Sequence, residues 1–294
     1  MSVTISNAKL SARVIDTGAE LKSLTEHSTG TEYIWQSDPA WWTGAAPILF
    51  PIIGGLKNGE YHYRGQTYSM GGHGIVRKAE WKMIASDAVS ATFEIVSSDE
   101  TQKTYPFDFA LRASFTLEDS SLAVRYEVRN TGKDEMYFSI GSHPALNLPF
   151  AGGYPEHYYF HFSRPENMER YFYKDGMHLN ETEPIFNNSR QIFVTSTMFD
   201  RGPIIFKDPA SESVTIVTSR NTRRVRVRTE GVEFLALWAP PGAPFACIEP
   251  WHGVMDNIDT DGDFTTKEGI MSLNAGGTYT TGYWIDILDG GGIR

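Results

Sequence analysis

The fold class predicted by the sequence is all-β, a domain of two stacked antiparallel sheets. Three observations carry this reading. Apolar residues recur with a period of two in run after run. Gly, Pro, Asn and Asp cluster between those runs. No segment offers roughly twelve residues of convincing amphipathic helix.

Taken in chain order, the first clear run covers 91–96. The next is the plainest: Phe109, Leu111, Ala113, Phe115 and Leu117 alternate with Ala110, Arg112, Ser114 and Thr116. A turn at Glu118-Asp119-Ser120-Ser121 follows. The return segment sets Leu122, Val124, Tyr126 and Val128 against Ala123, Arg125, Glu127 and Arg129, and Asn130-Thr131-Gly132-Lys133 closes it. Such alternation marks a half-buried antiparallel meander. Shorter runs cover 136–140, 214–217, 225–227, 234–237 and 279–287. The one weakly helical stretch, 177–186, is interrupted by Pro184. With no Gly/Ser linker, charge block or fixed-period repeat, a single domain over 1–294 is expected, since sandwiches and barrels run past 200 residues.

The chain has 294 residues, 13% of them aromatic, and a formal net charge of −10. That surface repels a phosphate backbone and an anionic membrane alike, so neither nucleic acid nor membrane is an expected partner. A soluble protein with a neutral small-molecule ligand, monomeric or homodimeric, fits better. The lone Cys247 excludes an intramolecular disulfide. The start Met1-Ser2-Val3-Thr4-Ile5-Ser6 lacks a signal peptide's basic and apolar regions, and no run approaches the roughly 18 apolar residues of a membrane span. A cytoplasmic, reducing setting is the expectation.

Four stretches break the alternation: Trp41-Trp42 through Lys57, Met70-Gly71-Gly72-His73-Gly74-Ile75-Val76-Arg77, Gly141-Ser142-His143-Pro144-Ala145-Leu146-Asn147-Leu148, and Cys247-Ile248-Glu249-Pro250-Trp251-His252-Gly253. In an all-β protein such segments read as loops or bulged strand ends, where function is mounted. Plain structural readings exist for each. His73 fits a tight turn, His143 a satisfied strand end, and Trp41, Trp42 and Trp251 a core. Glu249 resists such a reading, because it lies between Phe245-Ala246-Cys247-Ile248 and Pro250-Trp251, where a charged carboxylate is costly. Burial there would raise its pKa and suit it to proton transfer.

Metal and nucleotide motifs are weak. His157 and His161 have zincin-like spacing but no intervening Glu, and Gly54-Gly55 and Gly152-Gly153 lack the Lys-Ser/Thr of a phosphate loop. No cation near Cys247 in sequence marks it as a nucleophile. Two histidines and one carboxylate, without metal or nucleophile, point to plain acid–base chemistry.

Gly18-Ala19-Glu20-Leu21-Lys22-Ser23-Leu24, Phe50-Pro51-Ile52-Ile53-Gly54, His73-Gly74-Ile75-Val76-Arg77, His143-Pro144-Ala145-Leu146-Asn147-Leu148 and Ile248-Glu249-Pro250-Trp251 together resemble the aldose 1-epimerase (galactose mutarotase) family, in particular its shorter bacterial branch. The match runs in order over residues 5–284. The resemblance implies a galactose-mutarotase-like β-supersandwich and cofactor-independent interconversion of aldose anomers. It implies Glu249 as general base, His143 as general acid and His73 beside the ring oxygen or a hydroxyl. Arg77, Asp200, Lys57, Trp251 and Asn147 become candidate sugar contacts. Relatives carry Arg where this chain has Gly55, with Lys57 the nearest cation. Alternatives are a hexose-6-phosphate mutarotase, a non-catalytic sugar-binding or regulatory module, and a glycoside hydrolase or lyase. A hydrolase would require a second opposed carboxylate.

Overall fold

The computed structural model describes residues 1–185 and 187–290. Its plainest hairpin is the plainest run of the sequence. Strands Phe109–Glu118 and Ser121–Asn130 pair antiparallel with Ser121 opposite Glu118, and Asp119 turns the chain at φ 52°. Phe109, Leu111, Phe115, Leu122, Val124 and Val128 are buried, while Arg112 reaches outward to Glu94 and Glu127. One face meets the core and the other meets water, as period-two patterning requires.

This hairpin lies within a nine-stranded antiparallel sheet. In spatial order its strands are Ser189–Phe193, Tyr158–Glu166, Ser213–Thr218, Arg224–Thr229, Thr278–Leu288, Ser121–Asn130, Phe109–Glu118, Ser90–Val96 and Lys82–Ser86. A second sheet orders Ile204–Lys207, Phe234–Trp238, Phe245–His252, Ile140–Ser142 and Ile48–Leu49, with Ala145–Asn147 also paired to Phe245–His252. The sheets meet through one apolar core, shown by the Phe162–Phe206 ring contact at 5.8 Å and the Tyr126–Ser142 hydroxyl pair at 2.8 Å. A three-stranded sheet, Ser2–Ser6, Leu10–Ile15 and Glu20–Glu26, contributes Ile5, Leu10, Val14, Leu21 and Leu24 to that core.

The smaller sheet is buried on both sides, which explains why its central strand reads Phe-Ala-Cys-Ile-Glu-Pro-Trp-His without polar alternation. Ala246 and Ile248 join the main core. Trp251, Phe234 and Ala236 join a smaller cluster with Leu49, Ile53, Val254 and Met255 on the opposite face. Cys247, Glu249 and Trp251 alternate onto one face of the strand, where Glu249 and Trp251 line a cleft while Cys247 stays in the core.

Three expectations are corrected. Segment 177–186 is no helix: Met177–Pro184 is a strand paired with Glu169–Lys174 around Asp175 (φ 52°) and Gly176 (φ 85°), a two-residue Asp-Gly turn with both residues left-handed. Phe186 lies outside the described residues. The run 136–140 divides at Ser139 between two sheets, Met136–Phe138 pairing with Met271–Leu273 and Ile140–Ser142 with the smaller sheet. The Glu249 segment is regular strand over Phe245–His252, not a loop. Among the described residues the one α-helix is the four-residue turn Asp99–Gln102.

Candidate active site

Strand Phe245–His252 brings Glu249 opposite Ala236, whose short side chain leaves room for a carboxyl group. Next to it the chain from Ile140–Ser142 to Ala145–Asn147 passes through His143. The backbone N–H of His143 donates to Pro47 O at 3.2 Å, and that of Ala145 donates to Ala45 O at 2.8 Å. Glycine at 141 is a packing requirement, since a Cβ there would stand 2.6 Å from Ile53 Cδ1 and 2.7 Å from Trp251 Cδ1. The result places His143 Nε2 3.2 Å from Glu249 Oε2. Proton exchange is possible at that separation, although Oε2 receives no well-aligned hydrogen bond and His143 Nδ1 has no partner.

Aromatic rings fix the imidazole. Trp42 stacks on His143 with centroids 4.7 Å apart, and Trp238 meets it edge-on at 5.3 Å. The loop carrying Trp42 is held from below by Glu20, which is 8% exposed: its Oε1 accepts from Ala45 N at 2.6 Å and Ala46 N at 3.0 Å, and Oε2 pairs with Lys22 at 2.9 Å. A buried carboxylate thus positions the ring that positions the histidine.

His73 arrives on a turn. It adopts φ 65°, a left-handed conformation that histidine tolerates better than most residues, and is followed by Gly74 at φ 75°. A Cβ on Gly74 would lie 2.1 Å from Phe50 O, so only glycine lets the two segments touch there. His73 N donates to Gly54 O at 2.8 Å, and Gly54 N donates back to His73 Nδ1 at 3.1 Å. The second bond makes Nδ1 the acceptor, so the ring proton sits on Nε2. Burial, with help from Arg77, lowers the His73 pKa to about 4, so the ring is neutral at physiological pH. It meets His143 edge-on at 5.7 Å.

Burial also sets the dyad's protonation. It pushes Glu249 well above the ordinary carboxylate range, partly offset by the neighbouring Trp251 indole, and holds His143 well below the ordinary imidazole range. Both shifts favour uncharged forms. With two groups this close, the pair titrates as one unit. Arg77 is half-buried, and its largest charged influence within the protein is Glu20. The cleft they surround has a volume of about 470 Å³, within the range of small-molecule sites.

Of the residues singled out in sequence, Glu249, His143, His73, Arg77 and Trp251 line this cleft. The structure does not bring Lys57, Asn147 or Asp200 into it. Lys57 donates its backbone N–H to Asp256 Oδ2 at 2.8 Å and its ammonium to Thr260 O at 3.0 Å, so it does not stand in for the arginine of relatives. Asn147 donates to the backbone carbonyls of Glu32 and Ile34 at 2.9 and 3.0 Å, a purely structural pairing. Asp200 is exposed in a surface turn.

Sequence reasoning missed Tyr173, Gly176 and Trp238, which also line the cleft, and left Trp42 among the core residues. Tyr173 and Gly176 come from the hairpin whose second strand overlaps the weakly helical stretch 177–186, and its Asp175-Gly176 turn was the available signal. That hairpin also accounts for Gly55. A Cβ at 55 would stand 3.0 Å from Gly176 O, so the hairpin tip occupies the space a longer residue would need.

Comparisons with known proteins establish the family. A family profile described as aldose 1-epimerase matches residues 1–272. The chain is 31% identical over 301 residues to protein LacX of Lactococcus lactis, covering 98% of this chain and all of that one. A galactose mutarotase related enzyme from Lactobacillus acidophilus superimposes with a TM-score of 0.94 at 32% identity over 98% of both chains. A galactose mutarotase-like protein from Lactobacillus casei gives 0.92 at 27% identity, over 98% of this chain and 100% of that one.

Proposed function

Because the chain belongs to the aldose 1-epimerase family, we propose that its cleft interconverts the α and β anomers of a free aldohexose by general acid–base catalysis. The observation that carries this reading is the His143–Glu249 pair, 3.2 Å apart on the cleft floor. Mutarotation takes a proton from the C1 hydroxyl and returns one to the ring oxygen. Both oxygens are bonded to the same carbon, so the acid and base must be close neighbours. Glycosidases instead hold two carboxyl groups about 5–9.5 Å apart. Among the described residues lining this cleft, Glu249 is the one carboxylate.

Glu249 accepts the C1 hydroxyl proton while His143 donates to the ring oxygen, and the C1–ring oxygen bond breaks to give the open-chain aldehyde. Burial places the resting pair's proton on Glu249, which first passes it to His143 across the 3.2 Å gap. Ring opening then takes a proton from His143 and returns one to Glu249, so the dyad's proton count is unchanged. Ring opening therefore moves the pair from a charge-separated form to the neutral form that burial favours. Rotation about C1–C2 exposes the other carbonyl face, and the reverse transfers close the second anomer. The His73 Nε2–H is the available donor for charge developing on the ring oxygen or a hydroxyl. Arg77 binds hydroxyl groups. The chemistry assigned here uses protein groups alone.

Arg77 is the one Lys or Arg among the described lining residues. A phosphate dianion calls for several charge-assisted donors, which supports an uncharged sugar over a 6-phosphate. The test is polarimetry on freshly dissolved α-D-glucose, α-D-galactose and their 6-phosphates. Faster equilibration of a free sugar than of its phosphate is expected. No acceleration of any substrate, with binding still measurable by calorimetry, would instead indicate a non-catalytic sugar-binding module.

A further inference from the structure

Beside the dyad lies a third group that the proton chemistry leaves unused. Cys247 precedes Glu249 by two residues on the same strand, so its side chain leaves the sheet on the same side, buried beside the dyad and not itself lining the cleft. One ligand atom each from His143, Cys247 and Glu249 falls within a 4.8 Å span, and all three residues are buried. We propose that these three side chains form a site for a thiophilic divalent cation of the zinc class, whose occupancy blocks the cleft.

The geometry is near what such an ion needs. Metal–ligand bonds of about 2.0–2.3 Å in a tetrahedron put ligand atoms roughly 3.3–3.7 Å apart. His143 Nε2 and Glu249 Oε2 already stand 3.2 Å apart, and the thiol needs to approach by about 1 Å. Glu249 Oε2 is buried with no hydrogen bond, so its lone pairs are unclaimed. Burial keeps the imidazole neutral, which is its ligating form. The cleft side supplies the fourth position, open to water or a sugar hydroxyl. A bound ion occupies both members of the dyad, and substrate competes with it for Glu249.

Because Cys247 is the only cysteine in the chain, a thiolate-to-metal signal can come from nowhere else. The test is titration of the intact protein with Co²⁺ alone, followed by near-ultraviolet absorption, and then polarimetry with added Zn²⁺. A stoichiometric charge-transfer band that Cys247→Ser abolishes is expected. Zn²⁺ should inhibit, with the half-inhibiting concentration raised at least about tenfold in Cys247→Ser while uninhibited turnover is unchanged. Absence of the band in the unmodified protein, or equal Zn²⁺ inhibition in both, overturns the site. Should Cys247→Ser fail to fold, the unmodified protein's spectrum and its loss on adding a saturating sugar still decide. Although the cleft-blocking consequence rests on the mutarotase reading, the spectrum does not. A Co²⁺–thiolate band in a protein that accelerates no sugar would sink that reading and leave the site standing.

Discussion

Replacing Glu20 with alanine should both destabilise the protein and loosen the cleft. The carboxylate is 8% exposed and accepts from the N–H groups of Ala45 and Ala46, themselves 0% and 4% exposed. Truncation leaves both N–H groups without a partner and removes the counter-charge of the Lys22 ammonium, which has only 16% side-chain exposure and keeps a 3.0 Å bond to Ser37 Oγ. An orphaned buried donor costs about 1–3 kcal/mol, so the two together cost about 2–6 kcal/mol. Glu20→Gln retains an acceptor oxygen for both N–H groups and loses only the ion pair, so it should cost less than Glu20→Ala. Equilibrium denaturation in guanidinium chloride measures both. The same loop carries Trp42 onto His143 and Pro47 O onto the His143 N–H, so Glu20→Ala should also raise KM and lower kcat. An alanine variant within about 0.5 kcal/mol of the unmodified protein, or one no worse than Glu20→Gln, would refute the assigned role.

Further expectations concern the dyad and its surroundings. Activity should follow a bell-shaped pH profile, its acid limb below the ordinary histidine range because burial resists a second proton on the pair. Its alkaline limb, where the last proton leaves, should lie above the ordinary carboxylate range; an acid limb near the usual imidazole pKa would count against this. The raised Glu249 pKa also makes the folded state lose stability as pH rises through it, because the unfolded chain releases that proton more readily. Glu249→Gln should therefore melt higher by at least ~2 °C in alkaline buffer, with the gain shrinking toward acid; scanning calorimetry at several pH values checks this. His73→Asn keeps a residue that accepts left-handed φ, so it should fold normally yet lose about 10²–10³ in kcat through the missing Nε2–H donor. Gly55→Arg places a side chain against Gly176 O and should displace the hairpin tip, raising KM for free sugar without restoring 6-phosphate turnover; a gain of phosphate activity would contradict the packing argument.

Period-two patterning made the large sheet legible, since Phe109–Glu118 and Ser121–Asn130 face water on one side and core on the other. The central strand of the smaller sheet was not, because Phe245–His252 is buried on both faces and shows no alternation to read, although its neighbour was caught in the run 234–237. Glu249 stood out for the same reason: it is a carboxylate in an otherwise apolar strand, and the structure leaves it 1% exposed. His143 and His73 were identified through motif order, but their 5.7 Å approach depends on pairing between distant segments. Asn147 shows the limit of motif reasoning. It sits within the His143 motif, yet its amide serves backbone carbonyls of the 32–34 segment. Tyr173 was hidden because its hairpin has weak alternation, and the Asp175-Gly176 turn was not weighed.

The most direct test of the central claim compares the unmodified protein with Glu249→Gln on freshly dissolved α-D-galactose and α-D-glucose, by polarimetry and calorimetry in parallel. The unmodified protein is expected to speed equilibration well beyond the spontaneous rate. The glutamine variant should bind sugar with similar affinity while losing that acceleration by at least about 10²-fold. Full acceleration by Glu249→Gln would contradict the assignment of the dyad, and no acceleration by the unmodified protein on any aldose would contradict the function itself.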